Sequence, residues 1–375
     1  MFKFKAGIYR QQFQYKSFFP NFLNHTEIEI LDKKIPSLVE EASNLLGRFN
    51  AYSSLFAEIN FFIQMHVAKE ATTSSLIEGT KTNFDEILLP KEEVNPERRD
   101  DWQEVQNFVK TINFAIAQLS KIPLSMRLIN NAHEILLSKV RGKYKTPGEV
   151  RKSQNWIGGN SLKNATFITP YQDDLPVLLT DLEKFWNNNE SDIPFLVRVA
   201  ISHYQFETIH PYIDGNGRIG RLLIILQLIE RGLLQKPTLY LSEYFEKNRV
   251  EYYDSLSRVR INNDLDQWLI FFLRGLIETS KKGILTFDKI IVLQKNCQEK
   301  ITTLGRRSEI GRKLLKILFS KPIVNVNKIV EELKITFPTA NAIISDFEKI
   351  GILKEVTGYA RNRLFSFVEY INLFK

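Results

Sequence analysis

The sequence predicts a mainly α chain with one small β-hairpin near its middle and a basic unit of short helices and strands at its C-terminal end. Three observations predict it. Apolar residues recur at i, i+3 and i+4 over much of positions 36–282. Gly and Asn crowd the stretch from Arg141 to Pro170, where short β-like pieces interrupt that rhythm. After Lys281-Lys282-Gly283 the pattern changes again, to short helices followed by strand, turn and strand.

Residues 1–36 are aromatic and broken by Pro20 and Pro36, which suits an extended segment wrapped on the body. Helices are expected at Pro36 to Leu55 and at Glu58 to Thr72. Pro90 and the charged run Lys91 to Asp101 mark a solvated loop before helices at Trp102 to Leu119 and Met126 to Val140. The hairpin should use Asn155 to Ile157 and Ala165 to Thr169, with helices resuming through Lys282. A linking helix, Thr286 to Leu304, leads to short helices at Ile310 to Phe319, Val326 to Leu333 and Pro338 to Ile350. Strands at Leu353 to Val356 and Arg363 to Phe367 then flank Thr357-Gly358. This tail resembles a winged helix-turn-helix, with Thr339 to Lys349 as recognition helix and Tyr359-Ala360-Arg361-Asn362 at the wing tip. Such a module binds DNA, joins two chains as a homodimer, or docks a protein.

The 375 residues provide for two or three domains, and 43% hydrophobic with 25% charged residues is ordinary for a soluble protein. There is no apolar run of the roughly 18 residues a membrane span needs, and no signal peptide, so a cytoplasmic protein is expected. The single cysteine, Cys297, has no internal disulfide partner and reads as a small buried hydrophobe. The formal charge of +8 is concentrated in residues 283–375, where 16 Lys and Arg face 9 Asp and Glu. That basic tail is the part suited to nucleic acid.

The chemistry is concentrated between His210 and Arg221, in the run His-Pro-Tyr-Ile-Asp-Gly-Asn-Gly-Arg-Ile-Gly-Arg. A proton acceptor, a hard-metal ligand, a glycine-rich turn and two arginines stand there between two apolar helices. The amides of Gly215, Asn216 and Gly217 would open the second helix, where free N–H groups and the helix dipole favour an anion. Residues 215–220 also spell G-x-G-x-x-G, but a helix rather than a strand precedes them and no acidic partner is evident about 20 positions on. A P-loop would need a terminal Gly-Lys-Ser/Thr. Arg218 and Arg221, one turn apart, suit a polyphosphate.

This run resembles the H-P-F-x-D-G-N-G-R-x-x-R motif of Fic-domain enzymes, with Tyr212 in place of Phe. The resemblance extends over roughly Ala71 to Leu273. Ser74-Ser75-Leu76-Ile77-Glu78-Gly79 is similar to the family's inhibitory helix, and Gly148 to Arg151 with Asn155 to Gly159 to its flap. Leu241 to Phe272 resembles its closing helices. The implied organisation is an N-terminal helical region with the inhibitory helix (1–100), a Fic catalytic core (101–282), and a linker helix with the winged domain (283–375).

The implied activity is transfer of AMP from ATP to a Ser, Thr or Tyr hydroxyl of a target protein and of the enzyme itself. His210 would deprotonate that hydroxyl, and Asp214 would bind Mg²⁺, since one carboxylate suits an ion that keeps its waters. Gly215, Asn216, Gly217, Arg218 and Arg221 would hold the phosphates, with Asn216 offering its side-chain amide. Trp156, Ile157 and Gly158 of the flap would touch nucleotide and target, and Tyr252 and Tyr253 the adenine and ribose. Glu78, supported by Ser74, would pair with Arg221 and keep the γ-phosphate from settling, so that the enzyme rests inhibited. The alternatives are a hydrolase that removes AMP and a nucleic-acid-binding regulator acting through residues 305–375. His203 reads as a packed neighbour, and His25, His66 and His133 lack metal-ligand partners at suitable spacing.

Overall fold

The computed structural model describes residues 4–24, 28–55, 59–359 and 361–375; His25, Glu58 and Ala360 lie outside them. The aromatic N-terminal segment is an antiparallel pair, β1 (Gly7–Gln11) with β2 (Lys16–Pro20), in register from Gly7↔Pro20 to Gln11↔Lys16. It is strapped to the body by the Ala6 N–H, which donates to Asn263 Oδ1 (2.8 Å), and by the Leu23 N–H, which donates to Asp181 Oδ2 (2.6 Å).

α1 (Lys34–Leu55) packs along the last long helix of the body, and α2 (Ile59–Ile77) runs five residues past the expected end at Thr72. Four hydroxyl residues, Thr72 to Ser75, would ordinarily compete with the helix for backbone hydrogen bonds. Here Thr72 Oγ1 donates back to the Ala68 carbonyl (2.8 Å) and Ser74 faces a buried arginine, so the helix continues to Ile77, with Glu78 in the turn that follows. α3 (Phe84–Ile87) opens with a capping box between Asn83 and Glu86, followed by α4 (Arg99–Leu119) and α5 (Met126–Leu136). α5 stops four residues short of Val140, where the Leu137 N–H closes on the His133 carbonyl and the chain turns into a short 3-10 segment.

The expected hairpin is present as β3 (Trp156–Ile157) and β4 (Phe167–Ile168), two residues each. α6 (Leu175–Asn187), α7 (Phe195–Ile209) and α8 (Asn216–Glu230) follow. α7 and α8 pack on each other at the centre of the molecule and are buried on nearly every face, Arg198 and Glu207 included. α9 (Ser242–Lys247) and α10 (Arg249–Asn262) close one side.

α11 is a single helix from Leu265 to Thr302. It passes through Gly283 without a break, because the missing Cβ there leaves room for the Phe49 ring of α1. The anticipated change at Lys282-Gly283 and the linking helix from Thr286 are therefore parts of one 38-residue rod. Cys297 on it is buried, which pushes its thiol up to about 11.

Beyond it lie α12 (Ser308–Ser320), β5 (Ile323–Val324), α13 (Val326–Leu333), α14 (Phe337–Lys349), β6 (Lys354–Glu355) and β7 (Phe365–Ser366). The strands form an antiparallel sheet in the order β5-β7-β6. α15 (Val368–Asn372) then brings Phe374 back onto α2, with ring centroids 5.7 Å from Phe62 and 5.1 Å from His66. Ser320 donates to Gln64 on α2 and Lys375 pairs with Asp85 on α3, so the C-terminal unit leans on the two helices on either side of Glu78. Among the described residues, no helix is long and apolar enough to cross a membrane.

The core below the motif centres on Trp268, whose indole N–H donates to the Ala200 carbonyl (2.9 Å) while its ring meets His203, Phe245 and Phe272. Trp268→Ala should cost about 3–5 kcal/mol, as large core truncations do, measured as a lowered midpoint of denaturant unfolding.

Candidate active site

The loop between α7 and α8 is built from both ends. His210 terminates α7 in the left-handed region (φ 51°, ψ 62°), which turns the chain sharply out of the helix. Gly215, also at positive φ (80°), caps α8, where the Leu136 side chain and the His133 ring would crowd a Cβ. α8 therefore starts at Asn216, and its first-turn amides point out of the helix as free donors.

The buttress of this loop comes from α5. The His133 ring stacks on Tyr212 (centroids 3.8 Å, 11° between planes) and accepts from the Gly148 N–H at Nδ1 (2.9 Å). That fixes its proton on Nε2, which donates to the Asp214 carbonyl (2.9 Å). Burial holds His133 neutral by lowering it to about 4. The extra hydroxyl of Tyr212 donates to Asn130 Oδ1 (2.6 Å), so the replacement of Phe is fully accommodated. His133, read from sequence as an unremarkable histidine, is thus a support of the loop.

Asn216 departs from its expected role. Its side chain accepts from the Tyr212 N–H and donates to the Tyr212 carbonyl, both at 2.8 Å, and is buried. The amide that was expected to meet a phosphate locks the turn instead, leaving the backbone N–H for an anion.

Arg151 ties the flap to the loop. Its guanidinium donates to the carbonyls of His210 (2.9 Å), Ser153 (2.8 Å) and Pro170 (2.7 Å) and to Thr169 Oγ1 (3.0 Å). Asn155 adds a bond to the Tyr212 carbonyl (3.0 Å).

His210 is partly exposed at the mouth of a cavity of about 420 Å³. Its Nδ1 lies 3.4 Å from the Glu207 carbonyl, an acceptor only, so Nδ1 carries the proton and Nε2 is the basic nitrogen. Desolvation, and next the positive charge of Arg151, lower its pKa to about 4, so the ring is a neutral base at pH 7.

Arg221 crosses from α8 to α2. Its Nε donates to Ser74 Oγ (2.7 Å), and its Nη2 to the Ser74 carbonyl (2.9 Å) and to Glu78 Oε1 (2.7 Å). Ser74 therefore acts on the arginine rather than directly on Glu78. Burial would raise the Glu78 carboxyl, but Arg221 outweighs it, with smaller contributions from Arg218 and His210, and holds its pKa below the usual range. That contribution is present above the ordinary carboxylate pKa and lost only as pH falls through the lowered value, so the pair persists through neutrality. Glu78 Oε1 also occupies the space a Cβ on Gly217 would take, directly over the first turn of α8.

Arg218 turns the other way, to Glu104 on α4 (3.7 Å) and Asp214 (3.6 Å). Its side chain is 5% exposed, and Nε and Nη1 make no hydrogen bond among the described residues. The two arginines thus sit on opposite sides of the α8 N-terminus, with poorly satisfied donors on one of them.

The cavity joins Glu78, Trp156, Ile157, Gly158, His210, Gly217, Arg221, Tyr252 and Tyr253. Asp214, Gly215, Asn216 and Arg218 stand beside it at the α8 N-terminus, and Ser74 behind Arg221. Tyr252 is a floor rather than a free ring: its hydroxyl donates to His203 Nε2 (2.8 Å), and its face stacks on Phe245. Tyr253 remains 40% exposed at the rim. Sequence reasoning did not single out Glu207, Phe167, Leu256 or Arg260, which with Thr166 and Ser257 complete the walls. Glu207 was within reach of it, lying one turn before His210 on the same helix face. Desolvation pushes its carboxyl up to about 7, against the pull of Arg221.

Residues 37–117 match the family model Fic/DOC family N-terminal, and residues 123–228 match Fic/DOC family. The chain belongs to the Fic/DOC family. It is 28% identical over 216 residues to the protein adenylyltransferase Fic of Drosophila sechellia, covering 56% of this chain and 40% of that protein. A protein of the same name from Culex quinquefasciatus is 28% identical over 240 residues, 62% of this chain and 43% of that one. The chain thus spans about two fifths of the length of these relatives. The Fic fold recurs in the crystal structure of a Fic family protein from Desulfovibrio desulfuricans G20, with TM-score 0.58 and 20% identity over 92% of this chain and 98% of that chain. It recurs also in a Fic domain containing signaling protein from Bacteroides thetaiotaomicron, with TM-score 0.51 and 19% identity over 67% and 96%.

The Arg151 bridge gives a direct expectation for the Fic loop. Arg151→Ala removes the guanidinium that joins the His210, Ser153 and Pro170 carbonyls and Thr169 Oγ1, and backbone amides of residues 155–169 should exchange hydrogen at least about 10-fold faster, read by hydrogen-exchange mass spectrometry.

Proposed function

We propose that this Fic protein transfers AMP from ATP to a hydroxyl side chain of a protein, itself included, and that Glu78 holds it in an inhibited resting state. The observation that carries this reading is His210, its Nδ1 turned to the Glu207 carbonyl and its Nε2 left over, lining a cavity that also reaches Gly217 and Arg221 in the first turns of α8. In the reaction, Nε2 takes the proton of the incoming hydroxyl as its oxygen bonds to the α-phosphorus. The bond from that phosphorus to the β-phosphate bridging oxygen breaks, and pyrophosphate leaves with its charge met by Arg218, Arg221 and the α8 amides. Because His210 is already neutral, no deprotonation precedes the step, and the pH profile attributable to this ring should fall only toward pH 4.

A divalent ion fits one position. The Asp214 side chain is 45% exposed beside the α8 N-terminus, and a lone carboxylate suits Mg²⁺ that keeps waters and phosphate oxygens as its other ligands. Among the described residues, no group of three or more His, Cys, Asp or Glu could hold a metal by itself. When bound, the ion would supply charge neutralisation to the phosphates.

Glu78 would inhibit by occupying Arg221 and the space over Gly217 where the terminal phosphate must lie. The alternative of AMP removal uses the same carboxylate to orient a water. The flap edge would pair with the backbone of the target, giving affinity without strict sequence. His210→Ala should lower transfer from α-labelled ATP at least about 1,000-fold, whereas Glu78→Gly should raise self-labelling at least about 10-fold above the parent. A Glu78→Gly protein as silent as the parent removes the inhibition claim, and an active His210→Ala protein removes the mechanism.

One observation favours a second role for the C-terminal unit. Asn325, Asn327 and Asn341 share a groove with Arg361 and Arg363, a polar and cationic lining that suits a phosphate backbone and the winged-helix reading. Duplex binding by the full chain should weaken at least about 10-fold between 50 and 200 mM salt; no binding at 50 mM would dismiss it.

A further inference from the structure

Glu207 is the carboxyl that the transfer mechanism leaves without a task. It lies on α7 three residues before His210, is 8% exposed, and lines the same cavity. Its Oε1 occupies the space a Cβ on Gly220 would fill, which places it against α8 one turn beyond the Gly217 position taken by Glu78. That oxygen has no hydrogen-bond partner among the described residues. A buried carboxyl oxygen without a donor is costly, and such groups are otherwise matched with few exceptions. Of the donors around it, Arg221 Nε and Nη2 are committed to Ser74 and Glu78, the Tyr252 hydroxyl to His203, and Arg260 Nη2 to Ser257. Because Glu207 lines the cavity, a donor on a molecule bound there would match it.

Its position says which part of a nucleotide would bring it. The α8 amides and Arg221 mark the phosphate end, and His210 marks the α-phosphorus. Three residues along a helix is roughly 4.5 Å, the step from an α-phosphate to the sugar attached to it. The walls farther out, Ile157, Phe167, Leu256 and Tyr253, are apolar or aromatic and suit the base.

We propose that Glu207 is a specificity-determining residue that accepts a hydrogen bond from a ribose hydroxyl of the bound nucleotide, and so selects ribonucleotides over their deoxy counterparts. The inference rests on the nucleotidyl-transfer reading of the same site. An analogue lacking the hydroxyl leaves the buried oxygen unmatched again, so discrimination resides in Glu207.

The test compares kcat/KM for transfer from ATP, 2′-deoxy-ATP, 3′-deoxy-ATP and inosine triphosphate, using the full chain with Glu78→Gly as parent. The parent should favour ATP over at least one deoxy analogue by about 10-fold or more. Glu207→Met, of similar length and without an oxygen, should bring that ratio to within about twofold by slowing ATP alone. Glu207→Gln, which keeps an acceptor oxygen, should retain most of the preference. An unchanged ratio in Glu207→Met overturns the proposal, as does a loss of discrimination that appears against inosine triphosphate instead. A parent that uses ATP and both deoxy analogues equally overturns it whether or not the Met variant folds. If the parent neither binds nor uses any of the four, the nucleotide reading of the cavity itself fails, a result distinct from nucleotide use without ribose preference.

Discussion

Arg221 is the charge around which this molecule is organised. It is a guanidinium with a side chain 2% exposed, on a helix that is itself buried, and it needs acceptors wherever it points. In this structure α2 supplies three of them, two from Ser74 and one from Glu78. That requirement explains why α2 continues through a run of hydroxyl residues that would ordinarily fray, and why it lies against α8. It is also what the proposed inhibition by Glu78 rests on: the same donors cannot serve α2 and an incoming phosphate together. The carboxyl of Glu70, a further turn back on α2 and hydrogen-bonded to Ser242, lies within electrostatic reach of the same arginine.

Two histidines show how one residue type is set to two tasks by its surroundings. His133 and His210 are both held neutral by desolvation, both near a pKa of 4. His133 uses both ring nitrogens on the backbone and has no capacity left for chemistry. His210 spends only Nδ1, and weakly, so Nε2 stays available at the cavity mouth. A third, His203, donates from Nδ1 to the Gly220 carbonyl and accepts from Tyr252, which fastens the cavity floor to α8.

Much of the site could be read from sequence because it lies in one contiguous loop with strong local rules. The positive φ at Gly215, the start of α8 and the charged residues on either side follow from spacing. The helices of the body were legible from their periodicity, with errors at ends such as Thr72 and Val140, where tertiary contacts decided the boundary. Long-range commitments were not legible. That Asn216 would close on Tyr212, that Arg218 would turn toward Glu104, and that the last residues would return to α2 all depend on partners distant in sequence. The continuity of α11 was missed because Lys281-Lys282-Gly283 looks like a break, whereas Phe49 fills the place of the absent side chain. Glu207 reads as an ordinary polar residue on a helix until the cavity shows that its oxygen is unmatched.

The competition for Arg221 is tested most directly by calorimetric binding of ATP and ADP, which differ in the phosphate that would need this arginine. The intact protein should bind the two with affinities within about twofold, while the Glu78→Gln protein should favour ATP by about 10-fold or more, the scale of one charge-assisted pair. If the intact protein already prefers ATP by that factor and the substitution leaves the preference unchanged, Arg221 is not contested and the account of the resting state is wrong.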